Sequence, residues 1–420
     1  MNYTVYKPRD YQIPGIQKLS EAIRENGSAL DMSDTGTGKT FKALWIAQAL
    51  GMEQVAVLCP KVVIPQWERA CRDLGVKPLW INTYDKARRG NIPGISRRGH
   101  TYAFSEFPPN TLLLFDEVQR CQGARTKQGR LLIDAHRHGI PKLMMSATPA
   151  DSPLQMRGIG YAMGLFHYNE WWSWCQYHGK CIEGQFGGLE YYGGPEFMAE
   201  LRTQMDWGID RVRKADIKDW KNQFVQPEII ESNKLKAIDN AYAEMLAMEA
   251  EETPWALTEL LRLRQQVEHC KIPAVAEMVE NYTSSGNQVL VMCNFRDTLE
   301  NLNRIRPGLT LHGDTEDRGD VARAFQAGEQ DVLYAMTQCA REGVNLHDIK
   351  GTPVVSIILP TYSARDFIQA CGRTDRDGAL SDSVVKVPLV KDTVEERVFA
   401  KLEAKRERIE ALVDGDFLPN

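Results

Sequence analysis

The sequence predicts an α/β protein made of two parallel-sheet domains in tandem, with helical insertions between them. Its 420 residues exceed what one hydrophobic core usually organises. Short β-branched apolar runs recur in two sets, and stretches of helical period follow them. Between the sets the composition shifts to tryptophan, tyrosine and glycine. Continuous apolar strands alternating with helices mean parallel strands covered on both faces.

The first set places strands at 55–58, 112–115 and 143–145, with helices at 40–50 and 64–74. The second places strands at 289–292, 332–336, 354–359 and 384–390. Between them, Trp171, Trp172, Trp174, Tyr177, Phe186, Tyr191 and Tyr192 read as the local core of an insertion lacking a sheet, with a base-stacking platform as the alternative. Leu235, Ile238, Tyr242 and Leu246 fall three and four apart and mark a helix, which the acidic Glu249, Glu251 and Glu252 follow. The expected division is 1–151 for the first domain, 152–270 for helical insertions and a hinge, and 271–420 for the second. A closing amphipathic helix carries Val394, Val398, Leu402, Ile409 and Leu412 and is expected to pack rather than bind.

With 43% hydrophobic and 25% charged residues, the chain has the usage of an ordinary globular protein, which sets aside disordered, collagen-like and fibrous classes. No run of eighteen apolar residues occurs, and residues 1–9 contain no apolar leader, so a cytoplasmic protein is expected. The nine cysteines are odd in number and lack CxxC spacing, which predicts reduced, buried thiols rather than a zinc site. The net charge of −5 divides unevenly. Residues 1–150 hold 21 Lys and Arg against 13 Asp and Glu, a balance of +8, while the remainder carries −13. Attraction to phosphate is local, so the asymmetry points weakly to a polyanion on one face.

Asp34-Thr35-Gly36-Thr37-Gly38-Lys39-Thr40 follows a short apolar stretch and opens a helix. Small residues let backbone N–H groups wrap the β- and γ-phosphates, Lys39 neutralises oxygen charge, and the Thr40 hydroxyl suits Mg²⁺. The general phosphate-loop pattern has glycine where this chain has Ser33. Leu112-Leu113-Leu114-Phe115-Asp116-Glu117 is an apolar strand ending in two acids. Beside a phosphate loop, Asp116 can bind Mg²⁺ and Glu117 can polarise an attacking water. Ser146-Ala147-Thr148-Pro149 ends the next strand.

A phosphate loop, then Asp-Glu, then Ser-Ala-Thr resembles a superfamily 2 helicase or translocase, whose two domains are RecA-like. Gln369-Ala370-Cys371-Gly372-Arg373-Thr374-Asp375-Arg376-Asp377-Gly378 is similar to its motif VI. The resemblance implies that Arg373 and Arg376 supply an arginine finger to the transferring phosphoryl group, with Gln369 near the water and γ-phosphate. Arg9-Asp10-Tyr11-Gln12 resembles the Q-motif region, so Gln12 should read adenine. Cys59-Pro60-Lys61 with Gln66-Trp67 is similar to motif Ia, Thr83-Tyr84 to motif Ib, and Asn294-Phe295 to motif IV. His312-Gly313-Asp314-Thr315 with Arg318 is like the segment after motif IV. Arg341-Glu342-Gly343-Val344-Asn345-Leu346 is similar to motif V.

The resemblance thus implies nucleotide contacts at Gln12, Thr35, Gly36, Thr37, Gly38, Lys39, Thr40 and Gly343, and nucleic-acid contacts at Lys61, Gln66, Thr83, Asn294, Phe295, His312, Thr337 and Asn345. Pro60 with Gln66-Trp67, the run 210–216 closing a helix from Leu201, and Thr393-Val394-Glu395-Glu396 resemble the Snf2-type branch. Where that branch usually has His, this chain has Gln119, and the insertions are short, which is similar to compact prokaryotic or phage-encoded enzymes. The implied function is an ATP- and Mg²⁺-dependent, monomeric DNA translocase or helicase acting on duplex, forked or branched DNA in replication, recombination or repair. The alternatives are an RNA helicase of the same superfamily and a P-loop kinase or nucleotide-gated scaffold.

Overall fold

A computed structural model describes residues 7–414, apart from 91, 124–125, 185–187, 232–234, 249–253, 341–343, 361–362, 392 and 394. The chain forms two compact units, residues 1–218 with 405–420, and residues 219–404.

In the first unit, strands β1 (Ser28–Asp31), β2 (Gln54–Cys59) and β3 (Lys77–Thr83) precede a hairpin of β4 (Ser96–Arg98) and β5 (Thr101–Ala103). Strands β6 (Thr111–Asp116) and β7 (Lys142–Met145), a second hairpin of β8 (Cys181–Glu183) and β9 (Leu189–Tyr191), and β10 (Ile209–Asp210) follow. The main sheet has the order β10-β1-β7-β6-β2-β3 and is parallel throughout. Along β6 the side chains alternate faces. Leu112 and Leu114 pack with Leu19, Leu44 and Trp67, whereas Leu113 and Phe115 pack with Leu131, Met156 and Met198. Both faces are therefore covered, which explains the unbroken apolar runs of its strands.

The second unit contains β11 (Gln223–Ile230), β12 (Gln288–Cys293), β13 (Leu309–Leu311), β14 (Val332–Met336), β15 (Val354–Ile358) and β16 (Ser383–Val390). Their order is β11-β16-β15-β12-β14-β13, again all parallel. Val289 and Val291 of β12 share a core with Val275 and Val279 of the helix Ile272–Ser284. These are two tandem RecA-like α/β units.

The interposed segment 152–270 is divided between the units rather than forming a body of its own. Its residues 209–210 and 223–230 become strands β10 and β11 at the edges of the two sheets. Partly exposed edge strands alternate with polar residues, and Pro227 in β11 is admissible only at an edge. Trp174 and Cys175 are buried in the first unit's core, while Trp172, Tyr177 and Tyr192 are exposed. The aromatic segment therefore extends the main core instead of enclosing a separate one; Phe186 lies outside the described residues. The expected helix from 201 to 216 ends earlier, at Gln204, because the chain must turn there into β10. Leu235–Met248 is helical and buries Ile238. The closing helix, Glu395–Asp414, buries Leu402, Ile409 and Leu412 as a packing helix should; Val394 is outside the described residues. Among the described residues no helix is long and apolar enough to cross a membrane.

Candidate functional site

The residues of the phosphate loop gather at the carboxyl edge of the first sheet, between β1 and the helix Lys39–Ala49. Gly36 and Gly38 hold φ of 90° and 85°, a region that favours glycine. A Cβ on Gly38 would also lie 2.8 Å from Gln12 Nε2. Gln12 is buried and donates through that nitrogen to the Thr37 carbonyl at 3.0 Å, while its Oε1 accepts from the Arg9 N–H at 3.0 Å. The expected adenine reader thus reaches the loop itself. Lys39 Nζ donates to the carbonyls of Ser33 at 2.7 Å and Asp34 at 2.9 Å, and Thr37 Oγ1 donates to the Asp34 carbonyl at 2.8 Å. Burial holds the Lys39 ammonium below the usual lysine value, against the opposing pull of Asp31, Glu117, Asp34 and Asp116. A helix N-terminus and a buried cation beside a glycine turn are groups that can bind a polyphosphate.

Asp116 ends β6 at the same edge and is held from two directions. Trp67 Nε1 donates to its Oδ2 at 2.8 Å, and Tyr84 Oη donates to its carbonyl at 2.8 Å. Burial first, and the neighbouring Glu117 second, push the Asp116 carboxyl up to about 6, while the Trp67 bond and Lys39 act the other way. Glu117 adopts φ 57° and ψ 54°, a left-handed conformation uncommon for a non-glycine residue, and its Oε2 accepts from Gln119 Nε2. Gln66 is exposed beside Thr40. Its Nε2 approaches the Thr40 hydroxyl at 3.4 Å. The first turns of the helix Ile64–Leu74 thus touch Thr40 through Gln66 and Asp116 through Trp67. A hydroxyl and a carboxylate are hard oxygen donors of the kind Mg²⁺ takes alongside phosphate oxygens.

Beneath the loop lies a buried ion cluster that sequence reading did not find. Lys42 pairs with Asp31 at 3.1 Å and with Asp210, and its Nζ also donates to Ser33 Oγ at 3.3 Å. Burial opposes ionisation of both partners, yet each keeps its charge: Asp31 is held low by Lys42 and Lys39, and Lys42 is held high by Asp31 and Asp210. Lys61 is exposed in the turn Lys61–Val63, and Thr83 caps the helix Tyr84–Ala87 by accepting from the Lys86 N–H at 3.2 Å.

In the second unit, Asn294, Phe295 and Thr337 line a cavity of about 390 Å³ at the carboxyl ends of β12, β14 and β15. Glu268, missed in the sequence, is buried at its wall. Its carboxylate accepts from the N–H groups of Asn294 and Phe295, both at 3.1 Å, and from Asn294 Nδ2 at 2.8 Å. Burial raises the Glu268 carboxyl against those bonds. Thr337 Oγ1 donates to the Cys293 carbonyl at 3.1 Å. His312 accepts at Nδ1 from the Asp314 N–H at 3.3 Å, and Asn345 is exposed. Gly343 lies outside the described residues.

Gln369 sits in the helix Ala364–Cys371 and is buried. Arg373 is also buried, 5% exposed, and donates to the carbonyls of Gln369 at 3.1 Å and Val344 at 3.2 Å. Arg376, three residues further on, is partly exposed, whereas Arg373 is committed to backbone carbonyls of its own unit. Arg373 thus ties the motif VI helix to the segment holding Val344 and Asn345.

The chain is similar to several known proteins. A helicase conserved C-terminal domain profile matches residues 270–378. The chain is 26% identical, over 465 aligned positions covering 99% of its length and 85% of the relative, to a protein of Acanthamoeba polyphaga mimivirus named as the ATP-dependent RNA helicase L364. Two solved structures from Sulfolobus solfataricus are also similar. The SWI2/SNF2 ATPase core in complex with dsDNA covers 98% of this chain and 94% of that one, at 15% identity and TM-score 0.41. The SWI2/SNF2 ATPase core domain covers 97% and 90%, at 16% identity and TM-score 0.39.

Proposed function

We propose that the chain is a superfamily 2 helicase, of a kind that hydrolyses ATP on nucleic acid, and that it works as an Mg²⁺- and ATP-dependent translocase or helicase acting on DNA. The observation that carries the ATPase reading is the convergence of Lys39, Thr40, Asp116 and Glu117 at one sheet edge, bridged by Gln66 and Trp67. The loop N–H groups and Lys39 bind the β- and γ-phosphates, and Gln12 carries the adenine contact. Thr40 and Asp116 would hold Mg²⁺, which supplies neutralisation of phosphate charge when bound. Glu117, oriented by Gln119, takes the proton of the attacking water. Arg376 is assigned the charge that develops on the transferring phosphoryl group.

Asn294, Phe295, Thr337, Lys61 and Thr83 are assigned to the nucleic-acid backbone, with positioning contacts that do not read sequence. The preference for DNA rests on the Snf2-type details at Pro60, Gln66-Trp67, 210–216 and Thr393 to Glu396. An RNA substrate is the second reading, favoured by the name of the mimivirus relative. A panel of duplex, forked, four-way and single-stranded DNA and of RNA, scored for ATP hydrolysis and strand displacement, separates them. Stimulation by DNA substrates supports the first reading, and stimulation by RNA alone establishes the second.

A further inference from the structure

The phosphate loop has a partner segment. Parallel pairing of β10 with Leu30 and Asp31 continues past the strand ends, since the Met32 N–H donates to the Asp210 carbonyl at 2.8 Å and the Asp34 N–H to the Val212 carbonyl at 3.0 Å. Ser33, which stands where the general loop pattern has glycine, accepts from the Val212 N–H at 3.1 Å. The departure from glycine therefore has a use, because its hydroxyl joins the loop to residues 210–214.

Asp34 is the centre of this junction. Its Oδ1 accepts from Arg211 Nη1 at 2.6 Å and its Oδ2 from the Lys214 N–H at 2.9 Å. Its main-chain carbonyl accepts from Lys39 Nζ and Thr37 Oγ1. Whatever fixes the Asp34 side chain thus fixes, through one residue, the carbonyl on which the phosphate-binding lysine rests. Burial opposes ionisation of Asp34, but Arg211 and Lys214 hold its carboxyl below the usual range.

Arg211 is shared. Its Nη1 also donates to the Met32 carbonyl at 2.9 Å, and its Nε pairs with Asp414 Oδ1 at 2.6 Å. The side chains are 10% exposed for Arg211, 26% for Asp34 and 21% for Asp414, so solvent screens the pairs only in part. Asp414 ends the closing helix, where the helix dipole disfavours negative charge, and the guanidinium offsets that cost. The same helix end is seated by the burial of Leu412 and Val413 and by Arg202 Nε donating to the Val413 carbonyl at 3.1 Å. A planar fork can hold two carboxylates in fixed directions, which an ammonium cannot.

We propose that Arg211 is a positioning residue for nucleotide binding, and that its grip on the phosphate loop through Asp34 depends on Asp414, so that docking of the closing helix sets the affinity for ATP. The proposal rests on reading the loop as the ATP site. It is tested on the full chain by titration with a fluorescent ATP analogue, by KM and kcat for ATP, and by thermal melts. The variants are Asp414→Asn, Arg211→Lys and Arg211→Met, with Arg213→Met as a neighbouring control whose side chain pairs with Asp216 at the surface.

Asp414→Asn is expected to weaken nucleotide binding by about three- to tenfold, with kcat at saturating ATP within about twofold of wild type. Arg211→Met is expected to weaken binding further, with Arg211→Lys in between and Arg213→Met unchanged. Equal affinity in wild type and Asp414→Asn, with wild type binding normally, overturns the proposal while leaving the ATP reading intact. A wild-type chain that binds no nucleotide overturns the ATP reading and the proposal with it. Should Arg211→Met fail to fold, the Asp414→Asn titration decides alone.

Discussion

The indole N–H of Trp67 donates to the carboxylate of Asp116 at 2.8 Å, so the acid expected to carry Mg²⁺ is oriented by an aromatic residue 49 positions earlier in the chain. That bond favours the charged carboxylate, whereas burial and Glu117 favour the protonated one and set it at about 6. A protonated Asp116 is a poor cation ligand. The free enzyme's kcat/KM for ATP should therefore fall on the acid side with an inflection near pH 6. Trp67→Phe should move that inflection upward by about one unit, the size of one hydrogen bond to a charged group. A pH–rate profile from 5 to 8 checks both.

Glu117 has a left-handed backbone and accepts from Gln119 Nε2, an arrangement that aims its carboxylate and holds it still. Glu117→Gln should bind ATP like wild type and lose turnover by about 10²- to 10⁴-fold, the range for removing a general base. Gln119→Ala should cost about tenfold or less, since it loosens the base without removing it. Nucleotide titration paired with single-turnover hydrolysis separates binding from chemistry in both variants.

Lys142 is 1% exposed, bonded to Ser28 Oγ at 3.0 Å, the Gly27 carbonyl at 3.2 Å and His136 Nδ1 at 3.3 Å. Burial lowers its ammonium to about 7, from 10.5 in a free side chain. Between those values the unfolded chain binds a proton that the folded chain does not, so stability should rise as pH climbs from 7 toward 10. Lys142→Met should flatten that rise and be at least as stable as wild type at pH 7, since a buried charge is replaced by an apolar chain of similar length. Urea midpoints measured at half-unit steps give the slope.

Glu268 accepts from two backbone N–H groups and a side-chain amide at the head of the helix Arg296–Ile305. Glu268→Ala should destabilise the second unit by about 2–4 kcal/mol, because buried donors lose their acceptor. Glu268→Gln, which keeps one acceptor oxygen, should cost about half as much. Hydrogen exchange at Asn294 and Phe295 reports the loss locally.

Elements whose hydrophobic pattern spans a covered sheet were readable from the chain. The helix at 64–74 and the central strands β2, β6, β7, β12, β14, β15 and β16 sit within a residue or so of their expected bounds. Edge strands were not readable, because β10 has only two residues and β11 mixes exposed polar positions with Pro227. In the site, the residue types of the glycine-rich loop were legible from their spacing. Residues that act through a neighbour were not: Arg211 reaches Asp34 from 177 positions away, and Glu268 meets Asn294 only once the sheet has formed. Gln66 was read as a backbone contact from its motif, and only the fold brings it to Thr40. The paired arginines of motif VI were visible, but their difference was not, since burial of Arg373 depends on the carbonyl of Val344.

The central claim, an ATPase driven by nucleic acid, meets its most direct test in the steady-state rate of ATP hydrolysis by the wild-type chain with and without duplex DNA, at low salt. Turnover should increase at least about tenfold, equivalent to about 1.4 kcal/mol at the barrier, with the increase fading as salt is raised. A rate identical with and without duplex DNA, single strands and RNA at every salt concentration would contradict it.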